Sequence, residues 1–439
     1  MSLTPYIRNF FRVGVCAVAV VVAVAVSSHR SFAGDTSPKP SKSAKKALKQ
    51  AERLVNSAEK AAEARGYIKE ALADSVLAAD AKTYYIAGKI EAGQFNEDLK
   101  HLSINRNDPK VDKVRMGDAL MSARDYYIKA MKRDTTIDSK GRVQTRYSAQ
   151  LDEWINAQTP HYYNAGIAYL NKKLYYPQAY NAFLAYAETP LNSSYVVTDS
   201  ARAKAYFYAG VMAFNAKEYK VSAESFAHAR QYHYPRKEVL INEMVCLRRI
   251  ADADSTFLPE AMDRITSISR EGVDRFGVNP PLFVQKYVAG RIHSGDFIGA
   301  IAMIDSLSNV YPSSKSLLYS LRGVTKIAMR DTVAAIDDFV VASEDSTALF
   351  QTLLFTSKLM ARKGISELSS IRSTGRHAKK ESRQLKEKWL KPARQYAERA
   401  KGAARKRDGI YGELTDEAVE EMTRDLENTI ATIEYYILR

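Results

Sequence analysis

Residues 206–229 read YFYAGVMAFNAKEYKVSAESFAHA. Tyr206, Ala209, Gly210 and Ala213 recur at i, i+3, i+4 and i+7, which is one face of a helix. After Glu218-Tyr219 the helical spacing resumes with Ser222, Phe226 and Ala229. Residues 319–342, YSLRGVTKIAMRDTVAAIDDFVVA, keep the same layout through Tyr319, Gly323, Ala335, Phe339 and Ala342. In both stretches an aromatic stands four residues before a glycine and a small residue stands twelve after it. A bulky side chain follows four positions on, and a small one three beyond that. The chemistry is packing: Gly and Ala let two helices approach, and the bulky residue fills the hole between successive helix pairs.

This layout resembles the tetratricopeptide repeat, whose two-helix unit carries W-x2-L-G-x2-Y and then A-x3-F-x2-A. The resemblance implies an all-α fold, a right-handed α-solenoid of irregular tetratricopeptide-like helical hairpins, over most of residues 43–410. Weaker copies surround the two clear ones. Tyr162, Ala165-Gly166 and Tyr169 lead to Ala179, Phe183 and Tyr186; Ala123, Tyr127 and Ala130 form a second helix paired with Tyr84, Ala87 and Gly88. Ala300, Ile304 and Leu307 follow Gly295-Asp296-Phe297, but Ala289-Gly290 sits two residues late for the matching first helix. Ala261, Ile265 and Ile268 resemble a further second helix. No segment shows sustained period-two alternation, so no strand is expected.

The chain has 439 residues, of which Gly and Pro contribute only 20 and 13, too few for a sandwich or barrel with frequent turns. Residues 1–33 are expected to be a signal peptide: Arg8 and Arg12 precede an apolar run from Val13 to Val26, and Ser31-Phe32-Ala33 offers small residues for cleavage. That run is shorter than a membrane span needs. Residues 34–46, GDTSPKPSKSAKK, read as a disordered linker. N-terminal helical hairpins are expected over 47–158 with an insertion near 93–115, and a core array over 159–347. A C-terminal helical region over 348–439 carries a basic block and a capping helix with Leu426, Ile430, Ile433 and Ile437 on its apolar side. Gly364 to Gly375 reads as a mobile insertion.

Enzymatic signatures are scarce. H-E-x-x-H, the phosphate-binding G-x-x-x-x-G-K-[ST] and G-x-G-x-x-G are missing, and the seven histidines show no metal-ligand spacing. The expectation is a protein that is not an enzyme and holds no cofactor or metal. Cys246, alone after the signal peptide, reads as a small buried hydrophobe. Asp252-Ala253-Asp254-Ser255 starts like a calcium loop but lacks the downstream Gly and Glu, so it reads as a polar turn.

Charge is uneven. The net formal charge is +15, and residues 356–410 alone carry a balance of +12, against −6 for 411–439. Arg376, Lys379, Lys380, Arg383, Lys386, Lys388, Lys391 and Arg394 form a helical basic patch. It is either a solvated face partly neutralised by the acidic tail, or a dock for an acidic protein or an anionic membrane surface. Nucleic acid is not an expected partner of an exported chain.

The tetratricopeptide resemblance implies a concave groove that binds a partner segment. Carried over by alignment, its lining is Tyr163, Ile167, Leu170 and Asn171, then Phe207, Val211, Phe214 and Asn215. The two Asn residues would hydrogen-bond a peptide backbone and the aromatics take side chains. The alternative is that the Asn residues end their helices and the aromatics pack on an adjacent hairpin. The expected function is a non-enzymatic interaction scaffold, soluble or peripheral in the periplasm of a bacterial cell envelope. The alternative is a structural subunit of an envelope assembly, docked through its convex or basic C-terminal surface.

Overall fold

The computed structural model describes residues 39–137, 143–170, 172–191, 193, 195–345, 348–372 and 375–438. The expected signal peptide (1–33), residues 34–38 of the expected linker, and Asn171 lie outside the described residues. The described residues form two compact units, divided in the chain between Ala253 and Asp254, so the boundary falls inside the segment 159–347 that was expected as one array.

In the first unit the helices are α1 (Lys42–Leu54), α2 (Ala61–Leu72), α3 (Ala81–Ile104), α4 (Lys113–Met131), α5 (Ser148–Ala157), α6 (Thr159–Leu170), α7 (Tyr176–Ala187), α8 (Asp199–Asn215), α9 (Tyr219–Gln231) and α10 (Glu238–Ala253). Each of α1 to α4 packs on the next; α4 also packs on α6, and α6 to α10 pack in succession. A two-residue pairing of β1 (Thr136–Ile137) with β2 (Val143–Gln144) bridges the loop after α4.

In the second unit they are α11 (Leu258–Phe276), α12 (Leu282–His293), α13 (Phe297–Val310), α14 (Lys315–Ala328), α15 (Thr332–Ser343), α16 (Phe350–Ser369) and α17 (Arg376–Leu385). A π-helical turn (Lys386–Leu390), α18 (Lys391–Ala403), a minimal β3 (Asp408–Gly409) and β4 (Gly412–Glu413) pairing, and α19 (Asp416–Leu438) complete it. Within each unit the architecture is that of tetratricopeptide-like helical hairpins stacked in chain order.

The small–bulky pairs meet as the spacing requires. The ring of Tyr127 fills the space beside Gly88, Phe183 beside Gly166, Phe226 beside Gly210 and Phe339 beside Gly323. Turn chemistry repeats as well. Lys217, Gly295 and Arg330 each adopt a positive φ (65°, 78° and 67°) in the turn between two successive helices. In each case the next amide donates to a carbonyl five residues back: Glu218 to Ala213, Asp296 to Arg291 and Asp331 to Lys326, all at 2.9 Å. That is the six-to-one closure that satisfies the last carbonyls of a helix. Asp296 and Asp331 then cap the following helix, accepting from the amides of Gly299 (2.9 Å) and Ala334 (3.0 Å).

Several sequence expectations need correction. The first helix starts at Lys42, inside the expected linker, because Ser41 caps it and Ala44, Ala47 and Ala51 bury one face. The expected insertion near 93–115 is mostly helix: α3 simply continues to Ile104. Gly364 lies within α16, not in a mobile insertion, because Trp389 and Leu390 press on it where a side chain would stand. Ala261, Ile265 and Ile268 are buried on α11, whose hairpin partner is the following helix α12, with Phe283 against Gly272. This also explains the late Ala289-Gly290: Gly290 approaches Thr266 of α11.

The C-terminal helix caps the second unit. Met422, Leu426, Thr429, Ile430 and Ile433 of α19 are buried, and Ile437 is half-buried. They cover α16, which is buried on most of its faces, and Lys358 of α16 forms an ion pair with Asp425. Cys246 is buried, its Sγ 3.1 Å from Ser222 Oγ, and burial pushes its thiol up to about 11. The Asp252–Ser255 stretch is a turn in which Asp254 accepts from Thr256 N at 3.0 Å. Among the described residues no helix is long and apolar enough to cross a membrane.

Candidate partner-binding cleft

Helix α3 has 24 residues. Its last turns place Phe95, Leu99 and Leu102 at i, i+4 and i+7, hence on one stripe. An ion pair between a buried carboxylate and an exposed guanidinium fixes this extension to α4. Asp98, 3% exposed, accepts from Arg115 Nη2 at 3.0 Å, and the same guanidinium reaches the carbonyl of Lys110 at 3.4 Å. The connecting loop is tied down by His101 Nδ1 against Asp108 Oδ2 at 3.0 Å, and Asp112 caps α4 through Val114 N at 2.8 Å.

The stripe forms one wall of a cleft of about 370 Å³. Met116, Gly117 and Leu120 of α4 form the second wall, and His161, Asn164, Ala165, Ile167 and Ala168 of α6 the third. The lining is apolar in the middle and cationic at one edge, where Arg106 and Lys113 are exposed. A cleft of this size accepts one or two large apolar side chains. The His161 ring meets Phe95 edge-on, with centroids 5.3 Å apart, and its imidazole makes no hydrogen bond among the described residues. Desolvation by burial lowers its pKa, so near neutral pH it is an uncharged donor and acceptor in an apolar wall.

The sequence-derived groove residues divide. Ile167, 40% exposed, lines the cleft. Tyr163 is half-buried among Phe183 (5.4 Å), Tyr186 (5.2 Å) and Tyr208 (6.5 Å). Phe207 stacks on Tyr234 at 4.6 Å and packs on Phe226 at 5.8 Å. Tyr163 joins its own hairpin to α8, while Phe207 packs on α9 and the loop after it, which leaves each ring only partly available to a ligand. Leu170 and Val211 are half-buried, and Phe214 packs edge-on against Tyr219 at 5.5 Å. Asn215 is exposed and is the last residue of α8. Phe95, Leu99, Leu102, Met116, His161 and Asn164 were not anticipated. Their one sequence signal was the departure from repeat spacing near 93–115, since the surplus turns of α3 supply a wall that a regular repeat lacks.

In the other unit, the basic residues occupy α17, the π-helical turn and α18. Arg376, Lys379, Lys380, Arg383, Lys388, Lys391 and Arg394 are exposed, and Lys386 is half-buried. Lys391 pairs with Glu387 at 2.6 Å and Arg394 with Glu434 at 2.8 Å. Among the described residues, no group of three or more His, Cys, Asp or Glu is placed to hold a metal ion.

No protein-family model matches the chain, and no curated protein matches it. Among solved structures it is similar to the TPR domain of P58(IPK), at 11% identity over 88% of this chain and 98% of that one, with a TM-score of 0.25. It is also similar to yeast Tom70, at 12% identity over 90% and 91% of the two chains, TM-score 0.24. A circular tandem repeat protein with a novel repeat topology follows, at 11% identity over 90% of each chain, TM-score 0.19. The helical-hairpin fold itself rests on the packing described above.

Proposed function

We propose that this chain is a non-enzymatic interaction scaffold that holds a segment of a protein partner in the cleft between α3, α4 and α6. The observation that carries this reading is the cleft: an apolar floor built by three helices, open to solvent, with cations at one edge. A partner segment inserting a Leu or Phe side chain would gain roughly 1.5–3 kcal/mol from its burial. The exposed amide of Asn164 and the neutral imidazole of His161 stand ready to bond its main chain. The lining residues include no carboxylate or hydroxyl beside His161, which favours binding over turnover.

The apolar run behind Arg8 and Arg12, read as an export signal over residues 1–33, supports a location in a bacterial envelope, soluble or peripheral in the periplasm. N-terminal sequencing of the chain recovered from native cells tests this, with a start near Gly34 as the expected result and an intact Met1 as the opposing one.

The test of the cleft is crosslinking and affinity purification from native cells of the tagged chain and of Leu102→Asp plus Ile167→Asp. A stoichiometric partner lost from the variant is the expected outcome. A partner retained at full yield removes the cleft assignment. The second reading, a structural subunit docked through the C-terminal block, is favoured by the exposure of seven of its eight cations.

A further inference from the structure

The second unit ends in a surface whose charge its own fold does not neutralise. Lys379, Arg383 and Lys386 follow one another at i, i+4 and i+7, on one face of α17 and its continuation. In an unbroken α-helix Lys391 would stand about 140° round from Lys386 and leave that face. The π-helical turn changes this. Its backbone bond runs from Lys391 N to the carbonyl of Lys386, five residues back, so the wider turn brings Lys391 over Lys386. All four cations therefore line one cleft of about 580 Å³.

The cleft also has apolar walls, formed by Ile371, Ala378 and Ile437. Glu387 is the carboxylate among its lining residues and is engaged by Lys391; Lys386 Nζ donates to the carbonyl of Ile437 at 3.3 Å. Arg376, Lys379, Lys380 and Arg383 make no ion pair among the described residues. Some helix cations elsewhere are paired along their own helix, as Lys129 with Asp125 (2.6 Å), Arg270 with Asp274 (3.0 Å) and Arg275 with Glu271 (2.8 Å). Next to Ile437, at the end of α19, Leu438 is 87% exposed.

We propose that the face formed by α17, the π-helical turn and the end of α19 docks onto an anionic membrane surface. Charge complementarity carries the assignment. A leaflet rich in anionic headgroups satisfies cations spread over several helical turns without demanding a fixed geometry from each. The interfacial zone also accepts the apolar side chains among them, as Leu and Ile at a headgroup boundary do. An acidic protein would match the cations and leave Leu438 and Ile437 without a comparable environment. The proposal is independent of the cleft between α3, α4 and α6, and it assigns the basic block a lipid rather than a protein counterpart.

Flotation of the full chain with phosphatidylcholine vesicles, with and without about a third of phosphatidylglycerol, tests it. Pure phosphatidylcholine reports any background from the apolar run at 13–26, which all variants share. The expected result is binding that requires phosphatidylglycerol and is released by high salt, as screening shortens the reach of the charges. Lys379→Glu plus Arg383→Glu is expected to weaken it more than twentyfold, on the order of fivefold for each cation lost and more for each reversal. Leu438→Ser is expected to weaken it severalfold with the salt dependence unchanged. All three positions are exposed, so the fold is retained, which circular dichroism verifies. Equal flotation of the charge-reversed variant overturns the proposal. So does binding to soluble polyglutamate as tight as to the vesicles with Leu438→Ser silent, which would assign the face to an acidic protein.

Discussion

A β-carbon added to Gly166 would stand 2.7 Å from the ring of Phe183, well inside van der Waals contact. The two helices α6 and α7 therefore pack at a distance that only glycine permits, and Phe183, fully buried, is the residue that sets it. Gly166→Ala is expected to destabilise the chain by about 1–3 kcal/mol through overpacking. Phe183→Ala should cost about 3–5 kcal/mol through the cavity it leaves. The double variant should cost less than the sum, because the smaller ring position makes room for the methyl group. Denaturant midpoints of the four proteins give the answer, and strict additivity would refute the contact.

Arg330 carries a side chain in a left-handed conformation where the corresponding turn after α12 uses Gly295. That conformation costs a non-glycine residue about 1–2 kcal/mol. Arg330→Gly is expected to stabilise by roughly 0.5–1 kcal/mol once the extra freedom of the unfolded chain is subtracted. A lowered thermal midpoint would show that the Arg330 side chain contributes more than the turn conformation costs.

Glu243 is fully buried and is held by Arg230 Nε at 2.9 Å. Arg230→Ala leaves that carboxylate with a main partner missing and is expected to cost about 3–5 kcal/mol. Replacing both residues by Met should be far milder, since an apolar pair of similar volume needs no compensation. Urea denaturation distinguishes this from a simple loss of packing, for which the double substitution would be the worse of the two.

Burial depresses the pKa of His161 below its ordinary imidazole value. The unfolded chain therefore binds the proton more readily than the folded one, and stability rises with pH across the interval between the two values. Folding stability is expected to fall as pH drops below about 6.5, and to level off once the folded imidazole is protonated. His161→Gln should remove that component. Protonation also places a charge in the apolar wall, so binding of an apolar side chain in the cleft should weaken over the same interval. A pH titration of denaturation midpoints that is the same for both proteins would exclude the effect.

Tyr163→Ala plus Phe207→Ala is expected to lower stability by several kcal/mol, because each ring packs on a buried phenylalanine of its own hairpin, Phe183 and Phe226. Ile167→Asp, at a position 40% exposed, should leave the thermal midpoint within a few degrees and still disable the cleft. Thermal melts alongside partner capture separate the two. A stable double aromatic variant that loses the partner would restore those rings to the binding surface.

The hairpin fold was legible in the chain because its markers are local. Tyr206 to Gly210 and Gly210 to Phe226 lie within one helix pair, so helical periodicity and one turn suffice to bring them together. The cap at α19 was legible for the same reason, through the spacing of Leu426, Ile430 and Ile433. Cys246 as a buried residue followed from its apolar neighbours alone.

The cleft was not legible, and neither was the fate of the predicted aromatics. Whether Tyr163 meets a ligand or Tyr208 depends on how one hairpin leans on the next, which no spacing within α6 encodes. Length of α3 past the repeat, closed by Arg115 on Asp98, turned an apparent insertion into a wall. Likewise the π-helical turn at Lys386–Leu390 redirected Lys391, although the run of cations itself was plain to read. The sequence by itself determined the helical-hairpin class and, in the clear repeats, which small and bulky partners pair within a hairpin, because those relations cross one turn; the start of α1 at Lys42 and the reach of α3 to Ile104 it did not. Tertiary structure alone decided which faces stay open, because exposure is settled by contacts between helices far apart in the chain.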